Sequence, residues 1–516
     1  MTLHQYNTLS RDTDHLVDIC LALSREKDLT HLLDLIVTKA RQLTHAQAGS
    51  LYMVDGDVLS FEVLQNGPLN IYYIKQDESA PPMPSVPLKK DGAPNMSNVS
   101  SCVANTGLPL HIEDLYAPGQ RQFSGVYAWD QSSGFRSISM LALPLIGYRG
   151  EVVAVLQLIN RQNKNTGKVR PFSKTDIHIM TAIASQAAVA IVKVRLIDEL
   201  QALMYSFVKA IAWAVDAKSR VTGEHINRVA GLTMRIARLV NDTTTGPFKD
   251  VRFSEDNLEE LKYAAWMHDV GKIITPWHLI EKSRKLEGVI DGMAVIRERF
   301  EVIRMSCRFD WMASEGAKSD GGLERELSAI DRAYQFLVAC NTGKMPMDEA
   351  AMARLEEIGK QTYKDSKGKV RPWLTEEELG LLCIRFGNLS AEERQIIQDH
   401  ALMTRKILSN IQFPRHLARV PDYAASHHEK PDGSGYPQGL LGDAVPLQAR
   451  IMAIADIFEA LTAKNRPYKQ PMSPDEAGAI LEKMKKGNEI DGDLYDLCRD
   501  NGIFSHPPVS DDSFDD

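Results

Sequence analysis

Hydrophobic positions along the chain fall into two textures. Over residues 14–44, Leu16, Ile19, Leu23, Leu32, Leu33, Ile36 and Ala40 recur at helical spacing and predict an opening helix. The period then drops to two. Ala48–Val54 and Val58–Leu64 flank Asp55-Gly56-Asp57 and read as strand, tight turn, strand. Ser137–Leu145 and Val152–Asn160 flank a turn at Tyr148-Arg149-Gly150 and form a second such pair. Gln76–Asn98, rich in Pro, Met and Ser, lies between the pairs as a loop. A further helix begins near Ser173, whose hydroxyl suits an N-cap. Helix, antiparallel strands and helix together predict an α+β domain over residues 15–178.

From Asp176 to Lys218 there is neither Pro nor Gly. Met180, Ile183, Ala187, Ala190, Val194, Ile197, Leu200, Met204, Phe207 and Ile211 recur at steps of three and four, predicting one long helix with 179–204 as the connector. Unpaired, such a helix would expose its stripe, so a parallel homodimer is the favoured arrangement. The alternative is two shorter helices, each packed into its own domain. Residues 205–505 are helical in texture almost throughout, which predicts an all-α domain. The N-terminal tail 1–14 and the acidic tail 506–516 read as solvated ends.

Length and charge narrow the picture. A chain of 516 residues predicts two to four domains at roughly 100–200 residues each. With Lys+Arg 60 against Asp+Glu 68 and a net charge of -8, there is no global field for coating a nucleic-acid polymer or an anionic membrane. A phosphate-bearing ligand must therefore be held by a local basic or metal site. Cys20, Cys102, Cys307, Cys340, Cys383 and Cys498 lie far apart without a CxxC pair, which excludes a zinc ribbon and suits reduced thiols in the cytoplasm. Met1–Leu16 lacks a leader pattern, and Ile179–Val192, the least polar stretch, reads as too short to span a bilayer.

The chemistry lies in histidines after residue 220. His225 follows Thr222-Gly223-Glu224. His268-Asp269 is followed by Val270-Gly271-Lys272. His400 sits in a helical run, His427-His428 precedes a Gly-rich turn, and Asp456 interrupts the apolar stretch Ile451–Leu461. A single His on an apolar helix is ordinarily a satisfied core residue. An Asp in such a stretch is odder, because an unpartnered buried carboxylate costs several kcal/mol. Imidazole and carboxylate without thiolate suit Fe, Mn, Zn or Ni. One Asp between two ions could bridge them.

His268-Asp269-x-Gly271-Lys272, then His427-His428-Glu429-x-x-Asp432-Gly433-x-Gly435-Tyr436-Pro437, then Arg466-Pro467-Tyr468-Lys469, resembles the HD-GYP subgroup of the HD phosphohydrolase superfamily over residues 205–480. The resemblance implies a phosphodiesterase of cyclic di-GMP, with cyclic GMP-AMP as a further substrate in some members. It also implies two divalent metal ions per chain, Fe or Mn first and Zn or Ni as others. Position by position it assigns His225, His268, Asp269, His400, His427, His428 and Asp456 as metal ligands, with Asp269 as the bridge. Lys272 matches the lysine near the scissile phosphate, Arg466 and Lys469 match phosphate-binding residues, and Tyr436 would line the nucleotide pocket. Glu429 and Asp432 read as supporting or turn residues, and Gly433 and Gly435 as sources of backbone freedom.

Two departures stand out. Val221 occupies the place where some members carry a Glu for a third metal, and Glu224 is poorly placed to replace it; two metals and a linear dinucleotide (pGpG) product are expected. His400 follows Asp269 by 131 positions, several times the family's usual gap. The excess, residues 285–388, reads as a helical hairpin (Val289–Met305, Leu323–Cys340, then Met347–Gln361) serving as a lid, a partner arm or a surface elaboration.

The first domain resembles a GAF sensor module. Asn160, Arg161, Phe172 and Asp176 follow the order of the signature found in cyclic-nucleotide-binding members, although Ile177 replaces its final Glu. That resemblance implies a cyclic nucleotide or other small molecule as regulator; a strand end and helix cap without ligand is the alternative. The competing functions are a catalytically quiet cyclic-dinucleotide effector and an HD hydrolase of another nucleotide.

Overall fold

A computed structural model of the chain describes residues 17–76, 83–118, 123–216, 225–313, 321–463 and 471–505. It divides into two compact units, Met1–Met204 and Tyr205–Asp516.

The period-two segments of the first unit form one antiparallel sheet. Its main strands are β1 (Ala46–Asp55), β2 (Val58–Asn66), β3 (Ile71–Ile74), β4 (Leu110–Ile112), β5 (Met140–Ile146) and β6 (Val152–Arg161), in the order β3-β2-β1-β6-β5-β4, with Val86–Pro87 also paired to β2. Ser50, in the central strand, lies opposite Leu64 of β2 and Gln157 of β6. The turn between β1 and β2 uses Gly56 in the left-handed region (φ 57). Alternation separates two cores. Leu51, Met53, Leu156 and Leu158 face α1 (Leu29–Thr44) and the start of a long helix. Tyr52, Val155 and Ile159 face the side covered by α2 (Val99–Thr106) and α3 (Ser124–Ser133).

The opening helix is broken in two, over 17–25 and then α1, because Asp28 leaves helical geometry and its carboxylate accepts the His31 N–H at 2.7 Å as an N-cap. The long helix, α4, runs from Lys174 to Asp216. At its start Ser173 Oγ accepts the Asp176 N–H (3.1 Å), and the Asp176 carboxylate accepts the Ser173 N–H (2.7 Å), a reciprocal cap. The expected single stripe divides in two. Met180, Ile183, Ala187, Ile191 and Val194 are buried in the sheet domain's core, whereas Leu196, Ile197, Leu200, Leu203, Phe207 and Trp213 are exposed. By length and composition Lys174–Val215 is apolar enough to cross a bilayer, so the reading that no stretch suffices was too narrow. Its first half is a core element of the sheet domain.

The second unit is helical: α5 (His225–Asp242), α6 (Glu255–Met267), α7 (Gly292–Ala313), α8 (Gly322–Asn341), α9 (Glu349–Gly359), α10 (Ala391–Leu408), α11 (Val420–Ala425) and α12 (Leu447–Thr462). The insertion has a core of its own, built on Phe300, Ile303, Phe336, Leu337, Leu355 and Leu382. Its helices α7 and α8 pair antiparallel, as the contacts Phe300–Tyr334 and Arg304–Asp331 require. The hairpin reading omitted a small sheet, β7 (Thr362–Lys364) with β8 (Val370–Pro372), closed by Gly368 at φ 74. Three-residue strands in a charged run carry too little periodicity to register. The insertion's root is tied by Lys285, fully buried, whose ammonium donates to the Leu382 and Ile384 carbonyls at 2.9 and 2.7 Å. Asn388 adds a bond to the Ser283 carbonyl at 2.7 Å.

Candidate metal centre

Five segments of the helical unit bring the histidines and aspartates into one cluster. His225 opens α5, His268 and Asp269 follow α6, His400 lies in α10, His427 and His428 follow α11, and Asp456 lies in α12. Three groups of these residues could each hold a metal ion: His225, His268 and Asp456; His400, His427 and His428; and His268, Asp269 and His427. Asp269 stands between them. Its Oδ2 lies 3.4 Å from His268 Nε2 and 3.9 Å from His225 Nε2, and its Oδ1 lies 3.4 Å from His400 Nε2 and 4.0 Å from His427 Nε2. One carboxylate thus turns one oxygen toward each half of the cluster, the geometry a bridging ligand needs.

The rings are aimed by the backbone. His268 Nδ1 is 2.7 Å from the Ala265 carbonyl, His400 Nδ1 2.6 Å from Ile397 O and His427 Nδ1 2.6 Å from Ala424 O. A carbonyl only accepts, so Nδ1 carries a proton in each ring and Nε2 is the ring atom turned inward. Those three Nε2 atoms and Asp269 Oδ1 are buried without a hydrogen-bond partner. Orphaned buried acceptors are costly, and an electron-pair acceptor such as a divalent cation satisfies all four together. The donor set therefore fits a metal.

Electrostatics agree with that fit. Burial, then the neighbouring His268, holds His427 well below the ordinary imidazole value; burial, then His427, does the same for His428. Both are neutral, the form that donates to a metal. Burial opposes charge on His268, yet Asp269 outweighs it and raises the ring to about 9, so a cation there would displace a proton. Asp269 stays well below the carboxylate range although burial opposes it, because Lys272 and His268 adjoin it.

Supporting residues complete the site. Lys272, in the 3-10 turn Val270–Ile273, ion-pairs with Asp269. The Gly271 N–H donates to Thr404 Oγ at 2.9 Å, and that hydroxyl donates to the His268 carbonyl at 3.0 Å, clamping the turn to α10. A Cβ on Gly271 would fall on the His400 carbonyl and the Thr404 amide. Gly271→Ala should therefore cost about 3 kcal/mol and lower Tm by several degrees in a thermal melt, unless α10 can withdraw. Glu429, buried, accepts the Gln438 and Leu440 N–H groups at 2.6 and 2.8 Å, and Asp432 accepts the Ser434 N–H at 2.8 Å. Both are turn organisers. Gly433 takes φ 81, which requires glycine's freedom. Tyr436 lies against His428, ring centroids 4.7 Å apart, and burial, then Asp269, pushes its phenol up. Arg466, Lys469, Val221 and Glu224 lie outside the described residues.

One residue escaped the sequence reading. Glu459, fully buried one turn beyond Asp456, accepts a hydrogen bond from His225 Nδ1 and two from Arg228, Nε at 2.9 Å and Nη2 at 2.7 Å. Its signal was present: like Asp456, it is a carboxylate in an otherwise apolar helix.

The four GAF-motif residues make contacts within the domain. The buried Asn160 amide accepts the Ile138 N–H at 2.6 Å and donates to Gln47 Oε1 and the Arg136 carbonyl at 2.9 and 2.7 Å. Arg161 ion-pairs with Asp176, joining the end of β6 to the start of α4, and Phe172 fills the core. None lines the domain's cavity of about 170 Å³, which is bounded by Ser50, Tyr52, Phe61, Trp129, Ser137 and Gln157 among others. No charged side chain stands among its described lining residues.

Comparison with known proteins agrees with this architecture. Residues 28–191 match the GAF domain family, and residues 222–335 and 377–494 match HD domain families. The chain is 34% identical over 140 residues to a "Probable cyclic di-GMP phosphodiesterase" of Vibrio cholerae, covering 26% of this chain and 32% of the relative. It is 45% identical over 97 residues to a "3'3'-cGAMP-specific phosphodiesterase 3" of the same organism, covering 19% and 20%. Both matches span a third or less of the relatives' own length. The GAF domain/HD domain protein of Geobacter sulfurreducens, a solved structure, is 14% identical with a TM-score of 0.25, covering 34% of this chain and 98% of that one. The protein thus combines a GAF domain with an HD domain. Relatives of its HD region include proteins named cyclic di-GMP phosphodiesterases and proteins named 3'3'-cGAMP-specific phosphodiesterases.

Proposed function

We propose that the protein is a metal-dependent phosphodiesterase of cyclic di-GMP, regulated through its GAF domain. The observation that carries this reading is the two-sided cluster about Asp269. His225, His268, Asp456 and one Asp269 oxygen would hold one divalent cation; His400, His427, His428 and the other oxygen would hold a second. Fe or Mn suits these donors first, with Zn or Ni also compatible. Bound there, the cations supply Lewis-acid activation of water and of a phosphodiester. The chain's own groups do the rest. The Lys272 ammonium, adjoining Asp269, would offset charge on the reacting phosphate or protonate the leaving oxygen. Tyr436 would wall the nucleotide pocket, and Arg466 and Lys469 would hold outer phosphates. With Val221 where a third-metal Glu would stand, linear pGpG is the expected product.

Cyclic di-GMP is preferred over cyclic GMP-AMP on the names of the relatives, which include both. The test is to incubate anaerobically purified protein with each dinucleotide and identify products by chromatography. Faster conversion of cyclic GMP-AMP would reassign the substrate; binding without cleavage would make the protein an effector.

The GAF-domain cavity favours an uncharged ligand with a flat ring over a cyclic nucleotide, because its described walls offer aromatic rings, hydroxyls and the amides of Asn98 and Gln157 but no cation for a phosphate. The exposed second half of α4 is the surface we assign to a parallel homodimer. Leu200 and Phe207, 66% and 62% exposed, stand seven residues apart on it. Leu200→Glu with Phe207→Glu should convert the dimer to monomer in analytical ultracentrifugation. A wild-type monomer, or a double variant that stays dimeric, would contradict this.

A further inference from the structure

His225 is held differently from its fellow ligands. His268, His400 and His427 each donate Nδ1–H to a neutral carbonyl three residues back. His225 is the first described residue of α5. Its Nδ1–H goes instead to Glu459. Glu459 is fully buried, and its charge is balanced by Arg228 from the same helix as His225. Helix α12 thus supplies Asp456 as a direct donor and, one turn on, the carboxylate behind His225.

The two halves of the cluster are therefore unequal. His225 Nε2 lies 3.6 Å from Asp456 Oδ1, and His268 Nε2 lies 3.9 Å from it. Apart from its share of Asp269, that half offers a full carboxylate and an imidazole made more basic by a carboxylate behind it. The other half offers His400, His427 and His428, with carbonyls behind the first two. Three imidazoles attract a divalent cation less than two imidazoles and a carboxylate do.

We propose that Glu459 is a positioning residue that makes the two cation positions unequal: the His225–His268–Asp456 position fills first and holds its ion more tightly, while the His400–His427–His428 position exchanges. The proposal rests on the metal-dependent reading above.

The test is titration of chelator-treated full-length protein with Mn²⁺ alone, following unbound Mn²⁺ by EPR and retained Mn²⁺ after desalting. Wild type should show two steps separated by at least about 10-fold, and Glu459→Gln should weaken the first by about 10- to 100-fold and leave the second nearly unchanged. Glu459→Asp should restore part of the difference. Arg228→Gln removes the other partner of Glu459 and should spare the first step; if it weakens that step as much as Glu459→Gln does, the effect is one of packing and the proposal fails. Two equal steps in wild type, or an unchanged first step in Glu459→Gln, would also overturn it. Should Glu459→Gln fail to fold by circular dichroism, the wild-type step separation and the Glu459→Asp titration decide. No Mn²⁺ uptake by folded wild type would overturn the metal-dependent reading itself.

Discussion

Asp269→Ala is expected to lower cyclic di-GMP turnover by at least about 10³-fold and to reduce the metal content of the chain from about two ions to fewer than one. Both effects follow from one geometry. The carboxylate is buried, turns one oxygen to each half of the cluster, and is the only described carboxylate placed between them. Its loss also removes the Lys272–Asp269 ion pair. Asp269→Asn keeps the shape and halves the number of carboxylate-type oxygens, so it should retain the fold, checked by its melting curve, and still lose at least one ion. Metal content is read by elemental analysis of anaerobically purified protein. Full occupancy in the folded Ala variant would remove Asp269 from the ligand set.

Lys272→Met is expected to give the second large effect, about 10²- to 10³-fold in kcat, with both ions retained. The lysine side chain is about one-third exposed and reaches Asp269 from the open side of the turn, so Met fits there without disturbing the buried ligands. A role in charge stabilisation during reaction predicts a fall in kcat larger than the rise in KM. Equal metal content and unchanged kcat would show that Lys272 serves only to neutralise Asp269 before the cluster is loaded.

Much of this was legible in the sequence. Adjacent His268-Asp269 and His427-His428 and the solitary Asp456 each break a local rule, and one shared cause explains all three. Period-two alternation placed β1, β2, β5 and β6 of the sheet but not its short strands, and the absence of Pro and Gly foretold the unbroken α4. What stayed hidden depended on long-range partners. Glu459, although a carboxylate in an otherwise apolar helix, gained its role only when Arg228 and His225, more than 230 positions away in sequence, closed around it. Thr404 likewise gains its role only when α10 meets the turn at Gly271. The order of Asn160, Arg161, Phe172 and Asp176 left open a ligand motif or a strand end and helix cap without ligand. Their side chains bond at the domain's own strand end and helix cap, and none of the four is among the described residues lining the cavity, although Gln157 and Ile159 of the same strand are. The break at Asp28 was missed because apolar spacing carries across a capped interruption of three residues.

The central claim, that a two-metal cluster cleaves a cyclic dinucleotide, is tested most directly on one sample of anaerobically purified full-length protein. Metal per chain and the products of cyclic di-GMP are measured before and after chelation and after reloading with Fe²⁺ or Mn²⁺. The account predicts about two ions per chain, conversion to linear pGpG, loss of both on chelation and recovery of both on reloading. Undiminished hydrolysis by the metal-free protein, or loaded protein that binds the dinucleotide without cutting it, would contradict it.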